Sequence, residues 1–374
     1  MTTNDDESQR APKSPESEPF HPSIEQIEEL LWRDTTDDVC VYAILDGDWV
    51  PGLYGRLVNA QGLSWVHMFQ GRSSLANVQN APFVVALKRG HAFNRWLIGK
   101  GWGQGWGIYF TASTSEALSR YGKSTIRDPH FLPSTQEQIQ LGKLTEGQDD
   151  PLWLMRHHFR HFSDVEFEDD GRIVDFRYYD PATLRVYLPT CNPQELFRFF
   201  GPVKMFFAEG FSELESLNRS QNIYLFAAPM DEDGKRYFWG RRFDMQTGNT
   251  QELQLHPAAE KPAEREGELL TMIRTAQCEA FREEQFRIHA ENIALDIIAL
   301  AKGRLPLSPN QIRADVYEAH GAALQAGLLS RTDVTNYVLC WLRDRDAFAA
   351  RMSTITDDDI SSKLNAWANN GFVE

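Results

Sequence analysis

A glycine-rich stretch is the first part of this sequence whose residue types could do chemistry. Gly101-Trp-Gly-Gln-Gly-Trp-Gly107 suggests a phosphate-binding loop, in which backbone amides hold a phosphate group. A dinucleotide-binding loop has the spacing G-x-G-x-x-G between a strand and a helix, and a Walker loop contains Gly-Lys-Ser or Gly-Lys-Thr. Here the spacing is G-x-G-x-G-x-G and the predicted order is helix, loop, strand. We therefore predict no bound cofactor, and either a tight turn capped by Trp102 and Trp106 or an exposed aromatic ridge for a partner.

Three histidines on one predicted helix raise the question of a metal site. His157 and His161 have the i, i+4 spacing of two ligands on one helix face. A zinc protease would need glutamate in H-E-x-x-H as its general base, but position 158 is His158, and no third ligand is evident. The four cysteines are widely separated and form no C-x-x-C pair. We predict a polar helix face and no bound metal.

Carboxylates could provide acid–base catalysis if two of them met in space. The candidates are Asp46, Asp48, Asp175 and Asp180. Asp46 and Asp48 flank a turn glycine, and Asp180 precedes a proline where it would cap a helix. The sequence contains no G-x-S-x-G nucleophile elbow, and no cysteine lies in a recognisable nucleophile context. We therefore predict structural roles for these carboxylates and a protein that is not an enzyme.

Aromatic and cationic residues are the candidates for contacts with a protein partner. The chain has 10 Trp and 23 Phe, most of which should fill cores, but aromatic residues also dominate interface hot spots. Arg177 could pair with an acidic neighbour inside a sheet or offer its guanidinium to a partner. The predicted partner-binding residues are Trp102, Trp106, Arg177, Tyr179, Phe199 and Phe200.

A unit of strand, helix, helix and strand must position many of these residues. Its first strand begins at Ile173 and alternates apolar with charged residues. Asp180-Pro181 and Asn192-Pro193 each place an N-cap acceptor before a proline at the first helical position. Pro189 should end the first helix, and Gly201-Pro202 should end the second.

This unit also carries a family resemblance. The string FRYYDPATLRVYLPTCNPQELFRFFGPV, from Phe176 to Val203, resembles the adaptor family of type VI secretion effector chaperones, a former domain of unknown function. Three further segments match it: Val41-Tyr-Ala-Ile-Leu-Asp-Gly47, Gly101-Trp-Gly-Gln-Gly-Trp-Gly-Ile108 and Gly327-Leu-Leu-Ser-Arg-Thr-Asp-Val334. Together they cover most of residues 39–345. Residues 122–150 look like a polar insertion in which the family pattern is shorter.

The resemblance implies an adaptor without catalytic activity. Such a protein would hold a toxic effector before secretion and load it onto the trimeric spike protein of a bacterial type VI secretion system. Its partners would be the cognate effector and the spike. Two alternatives stay open: a hydrolase-type enzyme with its site in the α/β lobe, or an immunity protein that binds one toxin.

Charge and hydropathy restrict the class of partner. The formal net charge is −15, from 53 acidic and 38 basic residues, which argues against nucleic acid and against an anionic membrane surface. Residues 1–20 contain no apolar signal segment, and no apolar run is long enough to span a bilayer. We expect a cytoplasmic protein.

The order of elements predicts the fold. Strands alternate with helices in the first part of the chain, so we predict an α/β N-terminal lobe with a mixed β-sheet flanked by helices, followed by an all-helical C-terminal lobe. The predicted divisions are a disordered tail at 1–20, an α/β domain at 21–246, a linker at 247–263 and a helical lobe at 264–374.

Overall fold

The computed structural model describes residues 22–69, 78–121, 151–210, 222–231, 235–253, 255, 271–301, 308–328, 330–352 and 360–370. The chain divides into two compact units, Met1–Thr275 and Ala276–Glu374. An α/β first unit and a helical second unit confirm the predicted fold class. The predicted disordered tail at 1–20 and the polar insertion at 122–150 lie outside the described residues.

Strands and helices alternate through most of the first unit. The strands are β1 Val39–Leu45, β2 Ser64–His67, β3 Phe83–Ala86, β4 Gly107–Ser113, β5 Asp164–Phe167, β6 Ile173–Asp175, β7 Val203–Gly210, β8 Asn222–Ala227, β9 Trp239–Asp244, β10 Thr250–Leu253 and β11 Thr271–Ile273. The helices of the first unit are α1 Ile24–Trp32, α2 Leu53–Asn59, α3 Ala92–Gly101, α4 Thr114–Tyr121, α5 Pro151–Arg160, α6 Pro181–Thr190 and α7 Pro193–Phe200.

The main sheet has eight strands in the order β10-β9-β8-β7-β4-β1-β3-β2. Every neighbouring pair is antiparallel, whereas we predicted a mixed sheet. The prediction rested on helical crossovers, and α3 does join β3 to β4, which run in the same direction. Because β1 lies between those two strands and opposes both, no parallel pair forms. The continuous apolar run of β1 fits this central, doubly covered position.

A second sheet of three strands, β11-β5-β6, is the only described sheet with a parallel pair. Its hairpin turns at Gly171, whose φ of 67° is the left-handed conformation expected of this Asp-Gly pair. We predicted helix at Thr271–Ile273, but these residues pair with β5, as their β-branched ends permit. Thr250–Leu253, within the predicted linker, is the edge strand β10, paired with β9.

The helix boundaries follow the predicted capping chemistry. Asp180 accepts a hydrogen bond from the Ala182 amide, and Asn192 forms a capping box with Glu195. Pro189 does not end α6, which continues to Thr190. The hydroxyl of Thr190 donates to the carbonyls of Val186 and Tyr187 and so helps to hold this last turn.

The two faces of the main sheet have separate apolar cores. Val41 and Ala43 of β1 belong to a cluster with α1, α2 and α3. On the opposite face Phe110 packs against Phe159 of α5, with ring centroids 4.9 Å apart. Strand alternation therefore assigns successive residues of one strand to different cores.

The second unit is helical. Its helices are α8 Thr275–Ala301, which begins in the last residue of the first unit, α9 Pro309–Gln325, α10 Arg331–Arg343, α11 Arg345–Met352 and α12 Ile360–Asn370. Ser308 forms a capping box with Gln311, and Ser330 accepts a hydrogen bond from the Asp333 amide. One apolar cluster, with Val316, Val338 and Phe348 fully buried, holds these helices together. None of the described helices is long and apolar enough to cross a membrane.

Candidate functional site

Two segments that stood out in the sequence, the loop after β1 and the glycine-rich loop, meet the end of β7 at one end of the main sheet. The register pairs Leu45 at the end of β1 with Gly107 at the start of β4, and the end of β7 lies beside that start. The loop after β1, the glycine-rich loop and Glu209 are therefore neighbours. We call this region the polar end; it consists of Asp46, Gly103, Gly105, Arg177, Arg185 and Glu209.

The glycine-rich loop holds a carboxylate of the protein itself. The amides of Gly103 and Gly105 both donate to Oε2 of Glu209, at 2.8 and 3.1 Å. Both glycines have positive φ, 81° and 65°, and this conformation directs the two amides to one point. Arg185 of α6 donates to the backbone carbonyl of Glu209. Of the two predicted alternatives, the structure has the tight turn.

The carboxyl group of Glu209 is buried, and burial raises its pKa to about 8. The amides of Gly105 and Gly103 and the positive charge of Arg185 lower the pKa, so they offset part of this effect. The glycine-rich loop therefore depends on an acid that holds its proton to unusually high pH.

This shift predicts a pH-dependent stability. Between about pH 4.5, the ordinary pKa, and about pH 8 the folded protein binds more protons than the unfolded chain. The contribution of Glu209 is therefore complete below this window and is lost as the pH rises through it. Glu209→Gln removes the titration and keeps an acceptor for the glycine amides. Denaturation is measured at several pH values within this window. As the pH rises, the free energy of unfolding of the variant should increase relative to that of the wild type by up to ~1.4 kcal/mol per pH unit. A pH-independent difference would contradict this assignment.

Asp46 connects the loop after β1 to the other segments of the polar end. Its side chain is buried, pairs with the guanidinium of Arg177, and accepts a hydrogen bond from the Asp48 amide at 2.9 Å. Its own amide donates to the carbonyl of Trp106 at 2.9 Å. Arg177 thus has the first of its two predicted roles, pairing with an acidic neighbour, and half of its side chain stays accessible.

Four of the six predicted contact residues lie in the core, which corrects that prediction. Trp102, Tyr179, Phe199 and Phe200 are buried, so they are not available to a partner in this structure. Phe199 shows the reason: its ring centroid lies 4.9 Å from that of Phe162, in an aromatic cluster that fills one face of the sheet. The remaining two contact candidates, Trp106 and Arg177, are partly exposed.

Trp49 is the most exposed large apolar residue of the described chain, and it was not among the predicted contact residues. It is 63% exposed and follows Asp46 by three positions, in the loop before α2. A tryptophan between turn-forming residues and a proline was the available signal, because loops run over the surface and leave such a side chain without a core. Tryptophan is also the residue most enriched in interface hot spots.

The predicted helix face of histidines is partly buried. Nδ1 of His158 lies 2.7 Å from the hydroxyl of Tyr121, and its Nε2 lies 2.8 Å from the carbonyl of Phe199. Burial lowers the pKa of His158 well below its ordinary value. The Nε2 atoms of His157 and His161 are 3.4 Å apart. Among the residues that the structure describes, no group of three potential ligands could hold a metal ion.

Comparison with known proteins gives one family match. The model of a family described as a domain of unknown function (DUF4123) matches residues 136–198. That family is associated with adaptors of type VI secretion effectors. The match includes α5, β5, β6, α6 and most of α7, but not the glycine-rich loop or β1. No curated protein and no solved structure was found to match the chain.

Proposed function

We propose that this chain is a cytoplasmic, non-catalytic adaptor that binds a toxic effector and loads it onto the spike protein of a type VI secretion system. The observation that carries the proposal is the family match at residues 136–198. Arg177 and Arg185 lie in this matched segment and contact Asp46 and Glu209 outside it. The matched segment therefore contributes two arginines to the polar end of the main sheet.

The state of the carboxylates also supports an adaptor. Asp46 is paired with Arg177, Asp180 caps α6, and Glu209 accepts two backbone amides. Each of these groups has a structural task that accounts for its presence. Trp49, beside the polar end, offers the apolar anchor that a protein interface requires.

One observation favours the alternative of a hydrolase-type enzyme. A buried acid with its pKa raised to about 8, in a cluster of convergent polar groups, is a feature of many catalytic sites. Glu209→Gln separates the two functions. An adaptor with this substitution still captures its effector, whereas a hydrolase that used the acid would lose its activity.

Co-expression tests the proposal. The tagged chain is produced with the effector and the spike encoded beside its gene, and complexes are isolated by affinity capture. We expect the effector to be recovered in the soluble fraction only when this chain is present, and to be captured with it. The proposal would be refuted if the amount of soluble effector were the same with and without this chain and the tagged chain were captured alone.

Trp49 is expected to contribute to this capture. Trp49→Ala should weaken binding of the effector or the spike by about 2 kcal/mol, close to thirtyfold, as truncation of an interface anchor does. Because the side chain is exposed, the melting temperature should not change. Tyr237→Ala, which removes another exposed aromatic side chain, is the matched control. Equal binding by both variants and the wild type would exclude Trp49 from the interface.

A further inference from the structure

The small sheet presents an unusual outer face. Its register aligns Ile173 of β6, Glu166 of β5 and Met272 of β11 in one row. The alternate residues Val165 and Ile273 are buried, so this row lies on the opposite, outer face. Ile173 is 60% exposed and Met272 is 47% exposed. Two large, exposed apolar side chains therefore flank a carboxylate on this face of the sheet.

The next row of the same face places two carboxylates opposite each other. Asp164 pairs in register with Asp175, and both residues are exposed. Like charges directly opposite on neighbouring strands destabilise a sheet. Partial desolvation of the carboxyl group and the charge of Asp164 raise the pKa of Asp175, and Arg177 offsets part of this rise. The guanidinium of Arg177, however, is already paired with Asp46.

The charge of this hairpin is not neutralised locally. Residues 164–175 contain six carboxylates and one arginine, Arg172, which pairs with Asp170 in the turn. Within the described residues, Asp164, Glu166 and Asp175 take part in no ion pair. A cationic ligand on this face would relieve the repulsion between these carboxylates.

We propose that the outer face of the β11-β5-β6 sheet docks a basic segment of the effector in which lysine or arginine alternates with apolar residues. The cations would lie between Asp164, Glu166 and Asp175, while the apolar side chains contact Ile173 and Met272. Charge complementarity selects this occupant, because an acidic or uncharged segment would leave the repulsion in place. This inference rests on the proposed adaptor function and names the chemistry of its partner.

The first test uses the full chain and a synthetic probe. The probe is a short peptide that alternates lysine with leucine; its analogues carry glutamate for lysine or serine for leucine. We expect the lysine–leucine peptide to bind most tightly, and added salt to weaken its binding. Failure of the lysine–leucine peptide to bind, or equal binding of the glutamate analogue, would overturn the inference.

Substitutions on the face provide the second test. Asp164→Asn with Asp175→Asn should weaken binding of the peptide and the captured effector about tenfold, as loss of two exposed ion pairs does. The same variant should melt at or above the temperature of the wild type, because the repulsion is removed. Loss of a merely structural contact would lower the melting temperature instead. Glu25→Gln with Asp37→Asn removes equal charge elsewhere and is the matched control.

The apolar contacts are tested separately. Ile173→Ser with Met272→Ser should also weaken both interactions about tenfold and leave the melting temperature unchanged, and Val58→Ser is the exposed control. Effector capture that is unaffected by all of these variants would overturn this docking face but leave the adaptor function standing. Peptide binding that responds as predicted, with no effector captured by the wild type, would instead count against the adaptor function and support the chemistry of the face.

Discussion

Replacing Glu116 with alanine is expected to destabilise the first unit by about 3–5 kcal/mol, the cost of leaving a buried charge without its partner. Arg236 is fully buried, and its guanidinium donates to Oε1 of Glu116. Burial lowers the pKa of Arg236, and the carboxylate of Glu116 opposes this shift. Without Glu116 the guanidinium would remain in the core as an uncompensated cation. Urea denaturation of the full chain would measure the loss.

Removing Arg236 instead of Glu116 should cost much less stability. Glu116 also accepts a hydrogen bond from Lys204 at 2.7 Å, so Arg236→Met leaves the carboxylate with a cationic partner and fills the space of the arginine stem. The double variant, Glu116→Ala with Arg236→Met, should have a free energy of unfolding close to that of Arg236→Met alone, because no uncompensated charge remains in the core. If Glu116→Ala cost no more stability than Arg236→Met, Arg236 would not depend on Glu116 as its compensating charge.

Phe199→Ala is expected to destabilise the first unit by about 3–5 kcal/mol, the range for a large aromatic side chain deleted from a core. Phe199 is fully buried, and its ring centroid lies 5.3 Å from that of Phe206 in the sheet. Trp49→Ala is the contrasting substitution. Its exposed side chain should contribute less than about 0.5 kcal/mol to the stability of the free protein.

The comparison of these two aromatic residues separates core from interface. Chemical denaturation measures stability, and capture of the effector measures binding. We expect Phe199→Ala to lower the stability and Trp49→Ala to weaken the binding of the effector. A stable, fully folded Phe199→Ala protein that fails to capture the effector would restore the original assignment of Phe199 as a contact residue.

Local chemistry in the sequence predicts much of this fold. Asp180-Pro181 and Asn192-Pro193 predict the starts of α6 and α7 because a capping acceptor and a proline act within a few residues. The apolar run of β1 predicts a strand with both faces covered. These signals need no knowledge of distant residues.

The polar end could not be predicted in the same way. Glu209 meets Gly103 and Gly105 across more than a hundred residues, and only the placement of β7 beside β4 brings them together. Nothing near Glu209 in the sequence indicates a loop as its partner. Likewise, an aromatic residue has the same local pattern whether it packs inside, as Phe199 does, or stays outside, as Trp49 does. Tertiary contacts decide between the two.

Light scattering on a stepwise mixture tests the adaptor function most directly. The complex of this chain with its effector is isolated, and purified spike protein is then added. The proposed function predicts that the effector moves into a complex with the spike and that this chain either joins the complex or is released from it. If the effector never enters a complex that contains the spike at any concentration of spike, or never binds this chain, the chain is not a loading adaptor.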